Sequence, residues 1–339
     1  MSLPRATNCS WAGSIRGVIV TLAEVAMPSV QSAPTPLLSR LKDPRAPIAL
    51  ALLAVYVIWG STYLALRVVV ASLPPLLSAG GRYLVAGVAL YAFCRLRGAP
   101  RPTKREWLSS LPVGALLFLV GNGFVSIAET SVASNIAAVV CGTIPLLGAG
   151  MSALFGARPS RREWLGLVLG LVGVVVMSAG GEMWAEPRAA IILMLAPVGW
   201  AIGSVIATRL TLPKGAMGAA AQMITGGMAT LLAGLARGEP VPTTATPEAL
   251  LALLYLAVFG SIVAFSAYLH LLRTTSAPVA MSYAYVNPAL ALFFGAALGN
   301  ERIHAATLAA TALIAGGVAL TLSGRSRGAG PSLRKREDG

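Results

Sequence analysis

Aromatic and amide side chains recur near the middle of several apolar stretches of this sequence. Trp59 and Tyr63 are four residues apart, and so are Tyr283 and Asn287. Each pair therefore shares one face if its stretch is helical. Buried indole and phenol groups usually need a hydrogen-bond partner, and an amide without one is costly in an apolar medium. Such side chains either bind a small solute by stacking and hydrogen bonding or pack a core.

Residues for covalent or acid–base chemistry are scarce in the same stretches. The 12 Asp and Glu residues fall almost entirely in polar breaks, and the chain has only two His residues. Cys9, Cys94 and Cys141 form no spaced pair, so the sequence indicates neither a disulfide nor a metal site. We therefore expect no cofactor and no catalytic group, and binding is the favoured chemistry.

The composition indicates an integral membrane protein. The chain has 339 residues, of which 56% are hydrophobic and 11% are charged, whereas a soluble domain carries about 25% charged residues. Apolar runs near the length of a bilayer-crossing helix follow one another, and strand-like alternation is absent. The net charge of +14 suggests nucleic acid in a soluble protein. Here the basic residues lie in loops, where they orient helices in the bilayer, so no nucleic-acid partner is expected.

The apolar runs predict an all-α polytopic protein with ten transmembrane helices. Connections between the runs are short, so neighbouring helices must be antiparallel. The predicted spans are 47–70, 75–96, 108–128, 133–155, 163–181, 188–208, 216–236, 249–272, 277–298 and 304–323.

The chain also contains an internal repeat. Residues 133–181 and 276–324 share the order of proline, Gly-containing corner and Gly-rich helix, which places Pro145 on Pro288 and Gly156 on Gly299. Five spans per half is an odd number, so the second half must enter from the opposite side of the membrane, as an inverted repeat. The predicted units are a disordered cytoplasmic arm (1–46), two five-helix repeats (47–181 and 188–323) and a basic cytoplasmic tail (324–339).

The distribution of basic residues orients this bundle. Most Lys and Arg residues fall before the first span, after the second and fourth spans, and in the C-terminal tail. Because such residues stay on the cytoplasmic side, both termini and Arg158 are predicted inside, with Glu182 and Glu301 outside.

The two halves of an inverted repeat meet at the bilayer midplane, where such proteins place their binding site. Trp59 and Trp200 lie midway along their spans, too deep for the aromatic belt at the membrane surface. Core packing remains an alternative for both. The residues expected to line one midplane cavity are Trp59, Tyr63, Asn122, Trp200, Tyr283 and Asn287.

Five other residues are candidates for gating or structural roles. Pro145 and Pro288 each remove a helix donor, which produces either a kink satisfied by neighbouring helices or an opening toward a cavity. Arg82 is a charge inside a span, which is a functional hypothesis by default, with snorkelling to the outer surface as the rival. We favour a clamp or gate over substrate binding for Arg82. Glu129 is a possible partner near the same surface, and Glu301 lies at the outer end of another span.

The order of motifs along the spans resembles the EamA family of the drug/metabolite transporter superfamily. The residues that carry the resemblance are Ile58–Tyr63 (IWGSTY), Gly81–Tyr83 (GRY), Pro145, Pro288 and the corner Gly299–Arg302 (GNER). The resemblance covers about residues 47–323. It implies a carrier in the bacterial inner membrane, often an exporter of amino acids or related metabolites, with a central cavity lined by both halves.

A carrier is therefore the expected function, and its partners are a small polar or zwitterionic metabolite and the lipid bilayer. The alternatives are a multi-span enzyme acting on lipid or peptide, a drug or toxic-compound efflux carrier, and a channel. An enzyme would need clustered Asp, His or Ser/His groups inside the membrane, and a channel would need a charged ring or carbonyl filter. The motif Gly166–Gly170 (GLVLG) allows close helix contact, either within the subunit or in a homodimer.

Overall fold

A computed structural model describes residues 46–132, 134–156, 159–178, 187–241, 244–290 and 305–323. Within these ranges the chain is almost entirely helical and contains no β-strand. The predicted all-α class is confirmed for this part of the chain. The N-terminal arm to residue 45, the tail, Glu182 and the corner that carries Glu301 lie outside the described residues.

The described residues of the first half form seven helices and one π-helical segment. Helix α1 covers Ala46–Val70 and α2 covers Pro75–Leu96. The third apolar stretch is continuous but changes its winding, from α3 through π1 to α4. The remaining elements are α3 (Lys104–Gly114), π1 (Ala115–Gly123), α4 (Phe124–Ala128), α5 (Ser134–Cys141), α6 (Ile144–Leu154) and α7 (Arg161–Ser178).

The second half contains a similar series. Its elements are α8 (Pro187–Ala207), α9 (Ala216–Ala236), α10 (Pro247–Tyr255), π2 (Leu256–Val263), α11 (Ala264–Thr274), α12 (Ala277–Met281), α13 (described over 283–290) and α14 (Ala305–Ser323). Here too a π-helical segment interrupts the long helix that follows α9.

Among the described residues, six helical stretches are long and apolar enough to cross a membrane. They are α1, α2, α3–π1–α4, α8, α9 and α10–π2–α11, and they match six of the predicted spans within a few residues. Large apolar side chains remain exposed on their outer faces, including Leu53 at 58% and Leu251 at 68%. Such exposure suits a lipid environment, because lipid tails are as apolar as leucine.

Local sequence signals fix where the spans begin. Helix α2 starts at Pro75, where the missing N–H is not needed for helix hydrogen bonding. Helix α3 starts with a capping box. In that box the Thr103 hydroxyl accepts from the Glu106 N–H at 3.3 Å, and the Glu106 carboxylate accepts from the Thr103 N–H at 2.7 Å. The polar breaks therefore act as helix starts as well as connections.

Glycines allow α2 and α9 to cross at backbone contact. A Cβ added at Gly80 would lie 2.6 Å from the backbone nitrogen of Leu231, and one at Gly227 would lie 2.7 Å from that of Leu84. No larger residue fits either position without moving a helix backbone. This crossing therefore holds α2, and with it Arg82, at a fixed position.

The predicted glycine motif on α7 also makes a close helix contact. Gly166 faces the carbonyl oxygen of Gly317 on α14, 2.5 Å from where its Cβ would be, and a Cβ on Gly317 would lie 2.6 Å from the Gly170 nitrogen. The motif therefore packs α7 against α14 within the subunit.

The two π-helical segments share a side-chain hydrogen bond that reaches back five residues. In π1, the Asn122 Nδ2 donates to the carbonyl oxygen of Leu117 at 3.3 Å. In π2, the Ser261 hydroxyl donates to the carbonyl oxygen of Leu256 at 3.0 Å. Such single-turn π-helical segments often occur at functional sites, and both of these border the cavity described next.

Candidate functional site

A cavity of about 80 Å³ lies among helices from both halves of the chain. A water molecule needs roughly 10–15 Å³ of such space, so the cavity holds roughly five to eight water-sized groups. The structure brings all six predicted cavity residues to its wall: Trp59, Tyr63, Asn122, Trp200, Tyr283 and Asn287. Their part in binding a solute remains a prediction.

One face of α1 forms a wall of this cavity. Trp59, Thr62, Tyr63 and Leu66 all border it, at the spacing i, i+3, i+4 and i+7 that places side chains on one helical face. The (i, i+4) pair noted in the sequence is therefore the centre of a longer stripe. Extending that pair by helical spacing would have predicted Thr62 and Leu66 as well.

The third stretch contributes a second stripe with the same spacing. Phe118, Gly121, Asn122 and Val125 border the cavity across π1 and into α4. Only Asn122 was predicted from the sequence, because it is the polar member. The helical spacing around it is the signal that would have identified Phe118, an aromatic ring that is 1% exposed.

The aromatic residues of the wall contact one another edge to face. The Trp59 ring centroid lies 4.6 Å from that of Tyr283 and 5.4 Å from that of Trp200, both in T-shaped geometry. Such pairs contribute about 0.5–1.5 kcal/mol beyond their buried area. The two halves of the chain are therefore joined through aromatic contacts at the cavity itself.

Tyr268 supports this aromatic cluster from behind, and the sequence analysis missed it. Its hydroxyl accepts from the Trp200 indole N–H at 3.2 Å and shares a 2.6 Å hydrogen bond with the Ser204 hydroxyl. Its ring lies 5.1 Å from that of Trp59. Tyr268 is completely buried behind the wall. Its partners are on another helix, so no spacing within its own helix indicated its role.

The sequence predicted that the fourth span is one helix with a proline in its middle. The structure instead breaks this span between α5 and α6. The Thr143 hydroxyl donates to the carbonyl oxygen of Val140 at 2.7 Å at this break. Pro145 follows in the first turn of α6, where its missing N–H is tolerated. The Ser282 hydroxyl donates to the Val279 carbonyl oxygen, also at 2.7 Å, at the break between α12 and α13.

Neither proline borders the cavity, but their neighbours do. Ile144, which precedes Pro145, and Asn287, which precedes Pro288, are both on the wall. Both prolines are buried. The prolines therefore lie one residue away from the cavity, and their gating or structural role stays a prediction.

The charged residues predicted near the outer surface lie in different environments. Arg82 is 7% exposed and borders the cavity. Its guanidinium donates to the Tyr83 hydroxyl, and no bond to Glu129 is present. Glu129 is 6% exposed, and neither of its carboxylate oxygens has a hydrogen-bond partner among the described residues. The predicted pairing of Arg82 with Glu129 is therefore absent from the structure.

A cavity bordered by several membrane-length helices, with aromatic and amide groups on its wall, is an arrangement typical of solute carriers. The sequence profile of the EamA-like transporter family matches residues 46–179 and again residues 187–323. The chain therefore belongs to the EamA-like transporter family, as its sequence motifs predicted.

Individual relatives agree with this assignment. The chain is 42% identical over 280 residues to the "Uncharacterized inner membrane transporter YedA" of Escherichia coli (strain K12), which covers 82% of this chain and 92% of that protein. It is 26% identical over 240 residues to the "Uncharacterized transporter YdfC" of Bacillus subtilis (strain 168), covering 69% and 78%. These relatives and the family are transporters rather than enzymes, which supports the choice of a carrier over a membrane enzyme.

A solved structure shows a similar fold. A protein crystal structure aligns with a TM-score of 0.68 at 22% identity and covers 81% of this chain and 96% of that chain. At this level of identity the likeness concerns the fold alone.

Proposed function

We propose that this protein is a carrier of the bacterial inner membrane that exports amino acids or related small metabolites through its central cavity by alternating access. The observation that carries the proposal is the convergence of six residues, chosen by type and depth, on one wall built by both halves of the chain. Aromatic rings and amides offer stacking and hydrogen bonds to a small polar solute with an apolar part.

The size of the cavity favours a metabolite over a drug-sized compound. The cavity has room for roughly five to eight water-sized groups, which is the size of a small amino acid, whereas drug-sized ligands need larger pockets. A solute of amino-acid size fits the smaller space, so a metabolite exporter is the better proposal than a drug-efflux carrier.

The proposed architecture is ten spans in two inverted five-helix repeats, with both termini in the cytoplasm. The two matches to the family profile support a duplication. So do the two π-helical segments and the occurrence of a helix break in a span of each half, where a hydroxyl (Thr143 or Ser282) donates to the carbonyl oxygen three residues earlier. Two copies of one unit are the simplest source of such paired features.

A transport assay tests the site. Trp59→Ala and Asn287→Ala are expected to reduce solute counterflow in liposomes at least about tenfold, because each removes a side chain that lines the cavity. Both variants should still reach the membrane. Phe93→Ala is the matched control, since Phe93 is 53% exposed and outside the cavity wall. Metabolite profiling of cells that over-express wild type or Trp59→Ala identifies the solute. Normal transport by both cavity variants would contradict the proposal.

A labelling experiment tests the orientation independently. In a protein without its native cysteines, Arg161→Cys should be protected from an impermeant thiol reagent added outside, and Ala185→Cys should react. The physical reason is the bias of basic residues toward the cytoplasmic side. The opposite labelling pattern would overturn the proposed topology without affecting the cavity.

A further inference from the structure

Arg82 is the charged side chain of the cavity wall. Among the described residues that border the cavity it is the only one with a formal charge, and no Asp or Glu is present there. It lies in α2, which the glycine crossing with α9 holds in place. A guanidinium remains protonated under all physiological conditions, so the cavity contains a permanent positive charge.

The hydrogen-bonding capacity of this arginine is only partly used. One terminal nitrogen donates to the Tyr83 hydroxyl, and the guanidinium carbon lies 4.2 Å from the centre of the Tyr83 ring. The Nε has no hydrogen-bond partner among the described residues. Glu129, the acid expected to pair with it, makes no hydrogen bond to it, and neither Glu129 carboxylate oxygen has a hydrogen-bond partner among the described residues.

A buried charge without a counter-charge is costly, so such groups are normally paired. We infer that the missing partner of Arg82 is the carboxylate of the transported solute, which binds the guanidinium inside the cavity. This inference rests on the proposed function and specifies its substrate class. It changes the role expected for Arg82 from a clamp or gate to a substrate-binding residue.

The rest of the wall indicates what else the solute carries. Asn287 is 1% exposed, and its Oδ1 has no hydrogen-bond partner among the described residues. This oxygen accepts from an N–H donor, as an amino group supplies. The rings of Trp59 and Tyr283 border the same cavity and suit both an ammonium group and an apolar side chain. The groups together fit a zwitterionic amino acid with a small apolar side chain.

The same charge excludes other solutes. A cationic amine or quaternary ammonium compound would meet the Arg82 charge with no acid on the described wall to offset it. Like charges brought together in a cavity of low polarity repel strongly. The inference therefore predicts discrimination between a carboxylate and its amide, which differ little in size.

The experiment compares three matched compounds on the purified full-length protein. L-valine carries both groups, L-valinamide lacks the carboxylate, and 3-methylbutanoate lacks the amino group. Binding is measured as the ligand-dependent rise in unfolding temperature, because a ligand specific for the folded state stabilises it. Wild type should respond to L-valine and 3-methylbutanoate and not to L-valinamide.

Two substitutions at Arg82 and one elsewhere complete the test. Arg82→Gln should weaken L-valine binding about tenfold or more, since it removes charge-assisted hydrogen bonds. Arg82→Lys should weaken it less, because lysine keeps the charge but lacks the planar fork. Lysine also keeps the protein folded if the glutamine variant is unstable. Arg101→Gln, an exposed loop position, should bind like wild type.

The possible results separate this inference from the proposed function. Equal binding of L-valine and L-valinamide by wild type, or an unchanged carboxylate preference in Arg82→Gln, overturns the role of Arg82. Failure of wild type to respond to either carboxylate overturns it as well. Counterflow of a panel of radiolabelled amino acids, measured on the same preparations, decides the proposed function separately, because transport without a carboxylate preference would leave the carrier intact.

Discussion

The segments π1 and π2 are built alike but are held by their neighbours in different ways. Each meets a tryptophan from the other half of the chain. In π2, the carbonyl oxygen of Gly260 accepts from the Trp59 indole N–H at 3.0 Å. In π1, Gly121 faces the Trp200 ring so closely that a Cβ would lie 2.9 Å from its Cε3. One contact is a hydrogen bond and the other is close packing.

The segment π1 is also more deeply buried than π2. Leu117 and Phe118 of π1 are almost completely buried, and Trp200 is 6% exposed. In π2, Val258 and Phe259 are 39% and 47% exposed. The α8–π1 contact is therefore part of a packed core, whereas the α1–π2 contact lies at the edge of the bundle. We expect that α1 moves against π2 more easily than α8 moves against π1.

The largest effect is expected from removing the tryptophans. Trp200→Ala should lower the free energy of unfolding by about 3–5 kcal/mol, the usual cost of deleting a buried aromatic ring. Trp59→Ala should cost clearly less stability, since Trp59 is only partly buried, while still reducing transport at least about tenfold. Unfolding curves in detergent and counterflow on the same samples measure both quantities. Equal stability losses would show that the two contacts are equivalent.

Alanine at Gly121 and at Gly260 should change the free energy of unfolding by less, and the two substitutions should differ in sign. Gly121→Ala is expected to destabilise by about 1–2 kcal/mol, because its Cβ must displace a buried ring. At Gly260 the nearest atom to an added Cβ is the Thr62 methyl at 3.3 Å, which can shift slightly. Gly260→Ala should therefore be neutral or stabilise by up to about 1 kcal/mol through helix propensity. Thermal unfolding of both variants measures this, and a larger loss at Gly260 would contradict the comparison.

The smallest effect is expected from the hydrogen bonds that reach back five residues. Ser261→Ala should cost about 1 kcal/mol, because it leaves the Leu256 carbonyl without this donor in a site that is 1% exposed. Asn122→Ala should cost less, since Asn122 borders the cavity, where water replaces its amide. Transport should fall in Asn122→Ala and stay near wild type in Ser261→Ala. The reverse pattern would assign the binding role to π2.

Sequence reasoning worked where residue type and depth along a span were sufficient. Trp59, Trp200 and Asn287 are chemically out of place in the middle of an apolar helix unless they face protein or water, and the structure places all three on the cavity wall. The signal is physical, because an indole N–H or amide in hydrocarbon needs a partner. The same reasoning gave the family through the order of its motifs.

Sequence reasoning was not sufficient where the neighbour of a side chain decides its surroundings. Helical spacing places Arg82 on one face of α2 but does not say whether that face meets lipid, another helix or the cavity. The crossing of α2 and α9, fixed by Gly80 and Gly227, turns Arg82 toward the cavity. Tyr268 was missed for the same reason, since its partners Trp200 and Ser204 are on another helix.

The sequence by itself determined that this chain forms apolar helices and where several of them begin. It also determined which polar side chains need a hydrogen-bond partner inside the membrane. These features depend on local hydrogen bonding and on the transfer of side chains to hydrocarbon. Only the tertiary structure decided that α3–π1–α4 and α10–π2–α11 change winding, that the fourth span breaks at Thr143, and that a charge enters the cavity. The energy difference between these local alternatives is small, so packing against a neighbouring helix selects among them.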